Sequence, residues 1–203
     1  MNLPLKGADH KPVLVVLCGP SHAGKTAFAN RLSRCGGDFA IVSPDKIRKQ
    51  LSVGFQDSRY ESRVWNTYES MKRQALEKGC NVVLDACHIT KKARWHALQG
   101  PNNNYKKICI VFDSSWQTIR ERCLNERRVS LKEVRRMWKA FQQSKPDPEE
   151  LKLHGFDVVC FIMAEGDCCD TSKQRCFIFH HLRAGLSAWP EGQWYNNKEV
   201  NYG

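Results

Sequence analysis

No C-x-x-C pair occurs in this 203-residue chain, although it holds 10 cysteines. That absence excludes the usual zinc-ribbon and dithiol-oxidoreductase spacings. Apolar runs are short: the first, residues 13–18, is too brief for a signal-peptide core, and none approaches the ~20 residues of a membrane-spanning helix. Low-complexity tracts, internal repeats and composition breaks marking a linker are also missing. Acidic residues are comparatively few, 21 against 32 Lys and Arg, which leaves a net charge of +11. Together these features predict one soluble, cytoplasmic domain over 1–203, with no membrane partner and a field that attracts polyanions.

Several cysteines, among them Cys18, Cys80, Cys109 and Cys160, fall in or beside apolar runs, where a free thiol packs as a small hydrophobe. Cys168, Cys169, Cys176, His180 and His181 cluster near the C-terminus in a spacing that matches no standard zinc site.

The strongest local signal is "GPSHAGKT", Gly19 to Thr26, which follows the apolar "VLVVLC" and precedes the helix-like "AFANRL". The spacing G-x-x-x-x-G-K-[ST] between a strand and a helix cradles phosphates with successive backbone N–H groups at a helix N-terminus. Gly19 and Gly24 permit the backbone angles such a loop needs. Lys25 reaches the β- and γ-phosphates as a point charge, and the Thr26 hydroxyl is placed to ligate magnesium. Residues Gly19, Ser21, His22, Ala23, Gly24, Lys25, Thr26 and Ala27 form the expected nucleotide cradle.

Strand signals recur at 13–18, 39–42, 81–85, 107–112 and 157–163, with helical patterns at 25–34, 59–78, 90–99, 115–124 and 130–142. This alternation predicts an α/β domain, a parallel sheet with helices on both faces. Within 130–142, Leu131, Val134, Trp138 and Phe141 share one helical face. "SKPDPEE" at 144–150 reads as a proline-punctuated turn and "GPNNNYK" as a loop.

Ligands of parallel sheets bind beyond the carboxyl ends of the strands. After the second strand stands "SPDKIRKQL": Ser43 suits a helix cap, Pro44 its first turn, and Asp45 and Arg48 share a face. Such a pair serves either as a local ion pair or as a proton-accepting carboxylate with an arginine that binds substrate phosphate. Asp85, ending the third strand in "VVLDACHIT", fits three roles: holding a magnesium-bound water, orienting Arg48, or capping the turn. Eight Lys and Arg between Arg120 and Lys139 concentrate positive charge, either as a solvated helix face or as a nucleic-acid contact.

The P-loop together with "SPDKIRKQL", "GCNVVLDACHITKKARWHAL", "IVFDSSWQTIRERCLNERRVSLKEVRRMWKAF" and "GFDVVCFI" resembles, over residues 13–163, the kinase domain of the bacteriophage polynucleotide kinase family. Zeta-toxin-type kinases share the scaffold. The resemblance implies a P-loop kinase of about five parallel strands with an arginine-bearing helical lid. It implies ATP and Mg2+ as cofactors and a nucleic acid, DNA or RNA, as the partner whose terminal 5′-hydroxyl receives the γ-phosphate. By the same resemblance Lys25 and Thr26 bind ATP and magnesium, Asp45 is the general base, Arg48 contacts a substrate phosphate and Asp85 supports the substrate pocket. Arg122, with Arg127 or Arg128, covers the transferring phosphate. The family's lid reads R-N-x-x-R, whereas Arg122, Asn125, Arg127 and Arg128 stand here in another frame. The chain also carries no phosphatase motif such as accompanies end-repair kinases, and residues 164–203 lie outside the resemblance as an extension with aromatic residues. Three alternatives therefore stand beside a 5′-hydroxyl kinase: a kinase of hydroxymethylated pyrimidines in phage DNA, a small-molecule or sugar-nucleotide kinase of zeta-toxin type, and a nucleotide-dependent binding module. The carboxylate of Asp45 favours an enzyme, since a binding module needs no proton acceptor there.

Overall fold

Six consecutive apolar residues form β1 (Val13–Cys18), and every one of them is buried. A strand of this composition has no polar face to offer solvent, so it must lie inside the sheet with helices on both sides. The structure, a computed structural model, describes residues 11–34, 39–53, 57–101, 104–126 and 129–164. In chain order the remaining elements are α1 (Lys25–Arg34), β2 (Phe39–Val42), α2 (Pro44–Gln50), α3 (Ser58–Glu77), β3 (Asn81–Leu84), α4 (Lys91–Leu98), β4 (Lys106–Ser114), α5 (Trp116–Glu126), α6 (Leu131–Gln143), α7 (Pro148–Leu153) and β5 (Val158–Ala164). The strands align in the order β2-β3-β1-β4-β5. All four pairings are parallel, with Val15 beside Val83 on one side and Ile108 on the other. The predicted five-stranded parallel sheet with helices on both faces is thus present.

Alternation along β1 divides the core. Val13, Val15 and Leu17 point to one face and pack with Phe28, Ala29 and Leu32 of α1. Leu14, Val16 and Cys18 point to the other, meeting Ile47 of α2, Val64 and Tyr68 of α3, Ala97 and Leu98 of α4, and Phe141 of α6. A third, smaller cluster of Ile119, Cys123, Val129 and Val134, flanked by Trp116, Leu131 and Trp138, belongs to α5, α6 and Val129 just before α6. The predicted apolar face of α6 is therefore real, but it serves two cores.

Two local expectations change. The stretch 144–150 contains the start of α7, where Asp147 accepts from the Glu150 N–H and Pro148 occupies the first turn. Ser43 does sit at the N-cap of α2, yet its side chain makes no capping bond and is buried. Cys18, Cys109 and Cys160 are free and buried, as strand hydrophobes should be. The cysteine–histidine group at 168–181 and the aromatic tail lie outside the described residues, as do Arg127 and Arg128. Among the described residues no helix is long and apolar enough to cross a membrane.

The segment after β3 is fastened to β1 by three bonds. Gly19 N donates to Cys87 O at 2.9 Å, the Cys18 thiol donates to His88 O at 3.3 Å, and His88 Nδ1 lies 2.8 Å from Leu17 O. Because a carbonyl only accepts, His88 carries its proton on Nδ1, and Nε2 accepts from the Tyr68 hydroxyl at 3.2 Å. Burial pushes the His88 imidazole down to about 4, with Lys25 and Lys72 adding to the effect against the Leu17 carbonyl.

The unfolded chain therefore takes up this proton first as pH falls, so stability contributed by neutral His88 is present above about pH 6.5 and is lost towards pH 4. The full loss is of order 3 kcal/mol. Urea unfolding between pH 7 and pH 4.5 should show this slope, and His88→Asn, which tolerates the positive φ of 40° and does not titrate, should flatten it.

Candidate functional site

The loop between β1 and α1 is forced into its shape by what lies beneath it. Gly19 has φ +150°, and a Cβ there would stand 2.8 Å from Phe112 O and 3.1 Å from Phe112 Cβ, so β4 presses directly on the turn. Gly24 has φ +101°, and its missing side chain leaves room for Arg122, whose Nη1 would lie 3.4 Å from a Cβ. Ser114 at the end of β4 supports the loop by donating to Ala23 O at 3.3 Å. His22 adopts a positive φ of 64° without being glycine. The loop thus curls at the N-terminus of α1 as a phosphate cradle should.

Lys25 is buried, and its Nζ donates to Pro20 O at 2.6 Å, which holds the ammonium across the loop. Thr26 Oγ1 donates to Asp85 Oδ1 at 3.2 Å. A hydroxyl and a carboxylate converging at the mouth of the cradle are the hard oxygen ligands magnesium takes, so these residues fit a nucleotide–magnesium pair. Burial raises Asp85 above the ordinary carboxylate range, while Lys25 and the Thr26 hydroxyl pull it back. The Asp85 carboxylate thus meets the first turn of α1 through the Thr26 hydroxyl.

Arg122 on α5 donates from Nη1 to His22 O at 3.2 Å, and Glu126 one turn later lies 3.5 Å from His22 Nε2. Helix α5 therefore reaches back onto the P-loop through Arg122 and Glu126.

Across the cavity, α2 presents Asp45 and Arg48 one turn apart. Arg48 Nη1 donates to Asp45 Oδ1 at 2.8 Å. The same guanidinium donates through Nε to Glu61 Oε1 and through Nη2 to Glu61 Oε2, both at 2.9 Å. Glu61 lies on α3, and its Oε2 also accepts from Trp65 Nε1 at 3.1 Å. Arg48 holds Glu61 below the usual carboxylate range, and Trp65 adds to the effect. A fork of two donors onto one carboxylate fixes the guanidinium plane, and with it the Asp45 carboxylate that the third donor holds.

These pieces surround one cavity of about 1200 Å³, walled by the P-loop, Asp85, Asp45 and Arg48, the Glu61, Trp65 and Tyr68 face of α3, and Ala93 and His96 of α4. Lys25, Thr26, Asp45, Arg48, Asp85 and Arg122 all line it, as do Ser21, His22, Gly24 and Ala27. Gly19 and Ala23 lie beneath it as buttresses of the loop. Glu61 and Trp65 went unnoticed in the sequence. Their signal is the i, i+4, i+7 spacing of Glu61, Trp65 and Tyr68 on α3, which marks a face with a polar rim rather than a plain core stripe.

The profile of the AAA domain family matches residues 14–144. No curated protein sequence matches the chain. Among solved structures, a chain of the Pnkp1/Rnl/Hen1 RNA repair complex superposes with a TM-score of 0.60 at 21% identity, covering 69% of this chain and 47% of that one. This chain therefore spans less than half of that RNA repair protein. Shikimate kinase from Acinetobacter baumannii gives a TM-score of 0.52 at 14% identity over 89% of this chain and 98% of its own. A gluconokinase from Sinorhizobium meliloti 1021 gives 0.51 at 13% identity over 87% and 97%. At such identities the likeness is one of fold, that of a P-loop kinase.

Removing the Arg48 side chain takes from Asp45 and Glu61 the guanidinium that both carboxylates share. Arg48→Ala should cost about 1–3 kcal/mol of stability, the penalty for stranding a partly buried charge. The deficit should shrink below pH 4.5, where Glu61 becomes protonated in the variant. Chemical denaturation at pH 7 and pH 4 measures both.

Proposed function

Since the chain belongs to the AAA domain family, we propose that it is an ATP-dependent phosphotransferase that carries the γ-phosphate to a hydroxyl of a nucleic acid, in the manner of a polynucleotide 5′-hydroxyl kinase. The observation that carries the reading is the Asp45 carboxylate, held by Arg48 and opening into the same cavity as Lys25 and Thr26. A phosphate cradle alone describes any P-loop protein; a fixed carboxylate across the cavity describes one that deprotonates an acceptor.

In this reading the nucleotide phosphates lie in the loop formed by residues 19–27. Lys25 and Arg122 neutralise charge that develops on the transferring group. Thr26 and Asp85 would hold magnesium, which supplies further neutralisation of the β- and γ-oxygens. The acceptor oxygen attacks the γ-phosphorus, its proton passes to Asp45, and the bond to the β,γ-bridging oxygen breaks with its electron pair leaving on ADP. Arg127 and Arg128, the other lid arginines of the resemblance, stand beyond the C-terminal end of α5, outside the described residues.

A nucleic acid as acceptor is supported by the charge. Arg120, Lys132, Arg135, Arg136 and Lys139 are exposed on α5 and α6, beside the cavity that Arg122 and Met137 of the same helices line. A second reading, a small-molecule kinase, is favoured by coverage: shikimate kinase and the gluconokinase match over nearly their whole lengths.

One experiment separates them: labelled ATP is offered with 5′-hydroxyl oligonucleotides, hydroxymethylated duplex DNA, sugar nucleotides and small polyols. Transfer to an oligonucleotide that weakens steeply with added salt supports the first reading. Salt-insensitive transfer to a polyol alone supports the second. On the competent acceptor, Asp45→Asn should lower kcat by about 100-fold or more while leaving ATP affinity unchanged. Lys25→Ala should abolish turnover while leaving the fold intact, as the far-ultraviolet circular dichroism spectrum checks.

A further inference from the structure

The acceptor half of the cavity has an unexpected character for a protein of net charge +11. Its wall carries the carboxylates of Asp45, Glu61 and Glu69. Arg48 is engaged with two of these carboxylates, and the buried Lys72 ammonium meets Glu69 Oε2 at 2.7 Å. Between the carboxylates stands Trp65, a large apolar ring that lines the cavity yet remains 42% exposed. Its indole is nonetheless held. Nε1 donates to Glu61, and Tyr68 contacts the ring in a T-shaped arrangement, centroids 5.3 Å apart and planes at 71°. Ala93 of α4 also lines this region, small enough to leave space within it.

A wall of this kind repels phosphate and suits a flat, neutral, polarisable ring. Resting on the reading of the chain as a nucleic-acid kinase, we infer that Trp65 is the platform on which the nucleobase of the acceptor's terminal nucleotide stacks, and so the residue that selects base-bearing acceptors. The same indole ends a continuous series of hydrogen bonds, from Trp65 to Glu61, from Arg48 to Glu61, and from Arg48 to Asp45. A base seated on the ring is thereby registered against the carboxylate that receives the hydroxyl proton. The acceptor's phosphodiester chain runs outside this pocket, where the exposed basic side chains of α5 and α6 are found.

The test compares two 5′-hydroxyl oligonucleotides that differ only at the terminal residue, one carrying a base and one abasic, on wild-type protein, Trp65→Leu and Trp65→Phe. Wild type should favour the base-bearing acceptor by about 5- to 100-fold in kcat/KM, the range of one base stacked on one aromatic ring. Trp65→Leu should erase that preference by raising KM for the base-bearing acceptor alone, and Trp65→Phe, which retains a ring, should keep most of it. Equal losses on both acceptors in Trp65→Leu would make the indole a mere buttress of Glu61 and overturn the inference. So would a wild type indifferent to the missing base. Failure of the wild type to phosphorylate any oligonucleotide, with transfer to a small polyol intact, would overturn the nucleic-acid reading itself and the inference with it.

Discussion

The bond from the Gly19 amide to the Cys87 carbonyl joins the two loops on which the site depends. One loop cradles phosphate and the other follows Asp85; they leave adjacent strands, and nothing in the strand ladder extends far enough to hold them together. The His88 imidazole and the Cys18 thiol complete the joint within the low-dielectric core, where a hydrogen bond is strong and a missing partner costly. With the loops joined, Thr26 meets Asp85. With Tyr68 bound to His88, α3 is brought down over the same end of the sheet, carrying Glu61 and Trp65 with it. The placement of a surface-facing constellation is thus decided by a buried neutral histidine.

Charge in this protein is sorted rather than spread. The total is strongly positive, yet carboxylates of Asp45, Glu61, Glu69, Asp85 and Glu126 all border the cavity. Most are tethered: Arg48 takes two, Lys72 takes Glu69, and Thr26 takes Asp85. The pairs keep each carboxylate in one orientation at modest net energy, since exchange of water for protein partners nearly balances. What they supply is direction, so that lone pairs face the cavity in a fixed pattern.

The fold was legible because its signals are local. The apolar hexapeptide of β1, the G-x-x-x-x-G-K-T spacing and the strand–helix alternation each depend on near neighbours, and each appears in the structure. The Asp45–Arg48 pair was legible for the same reason, being one helical turn apart. The bond from Arg48 to Glu61 was not, because it joins residues 13 apart in sequence on separate helices, and the spacing of Glu61 with Trp65 and Tyr68 marks a face of α3 without naming its partner. The phosphate-contact role that the resemblance gives Arg48 likewise takes no account of the fork onto Glu61. The missed helix α7 is a different case: Asp147, Pro148 and the acidic pair Glu149–Glu150 spell a helix start, and the two prolines of 144–150 masked it.

Helix α6 belongs to two cores, with Val134 in the small α5–α6 cluster and Phe141 in the main one. Between those two anchors Trp138 donates to Ser114 O at the end of β4 at 3.2 Å, and Ser144, the C-cap, donates to Ile89 O in the segment after β3 at 3.1 Å. Val134 and Phe141 stand seven residues apart, roughly 10 Å at the helical rise. The helix is therefore a strut, and a strain applied to α5 reaches the main core without passing through the sheet.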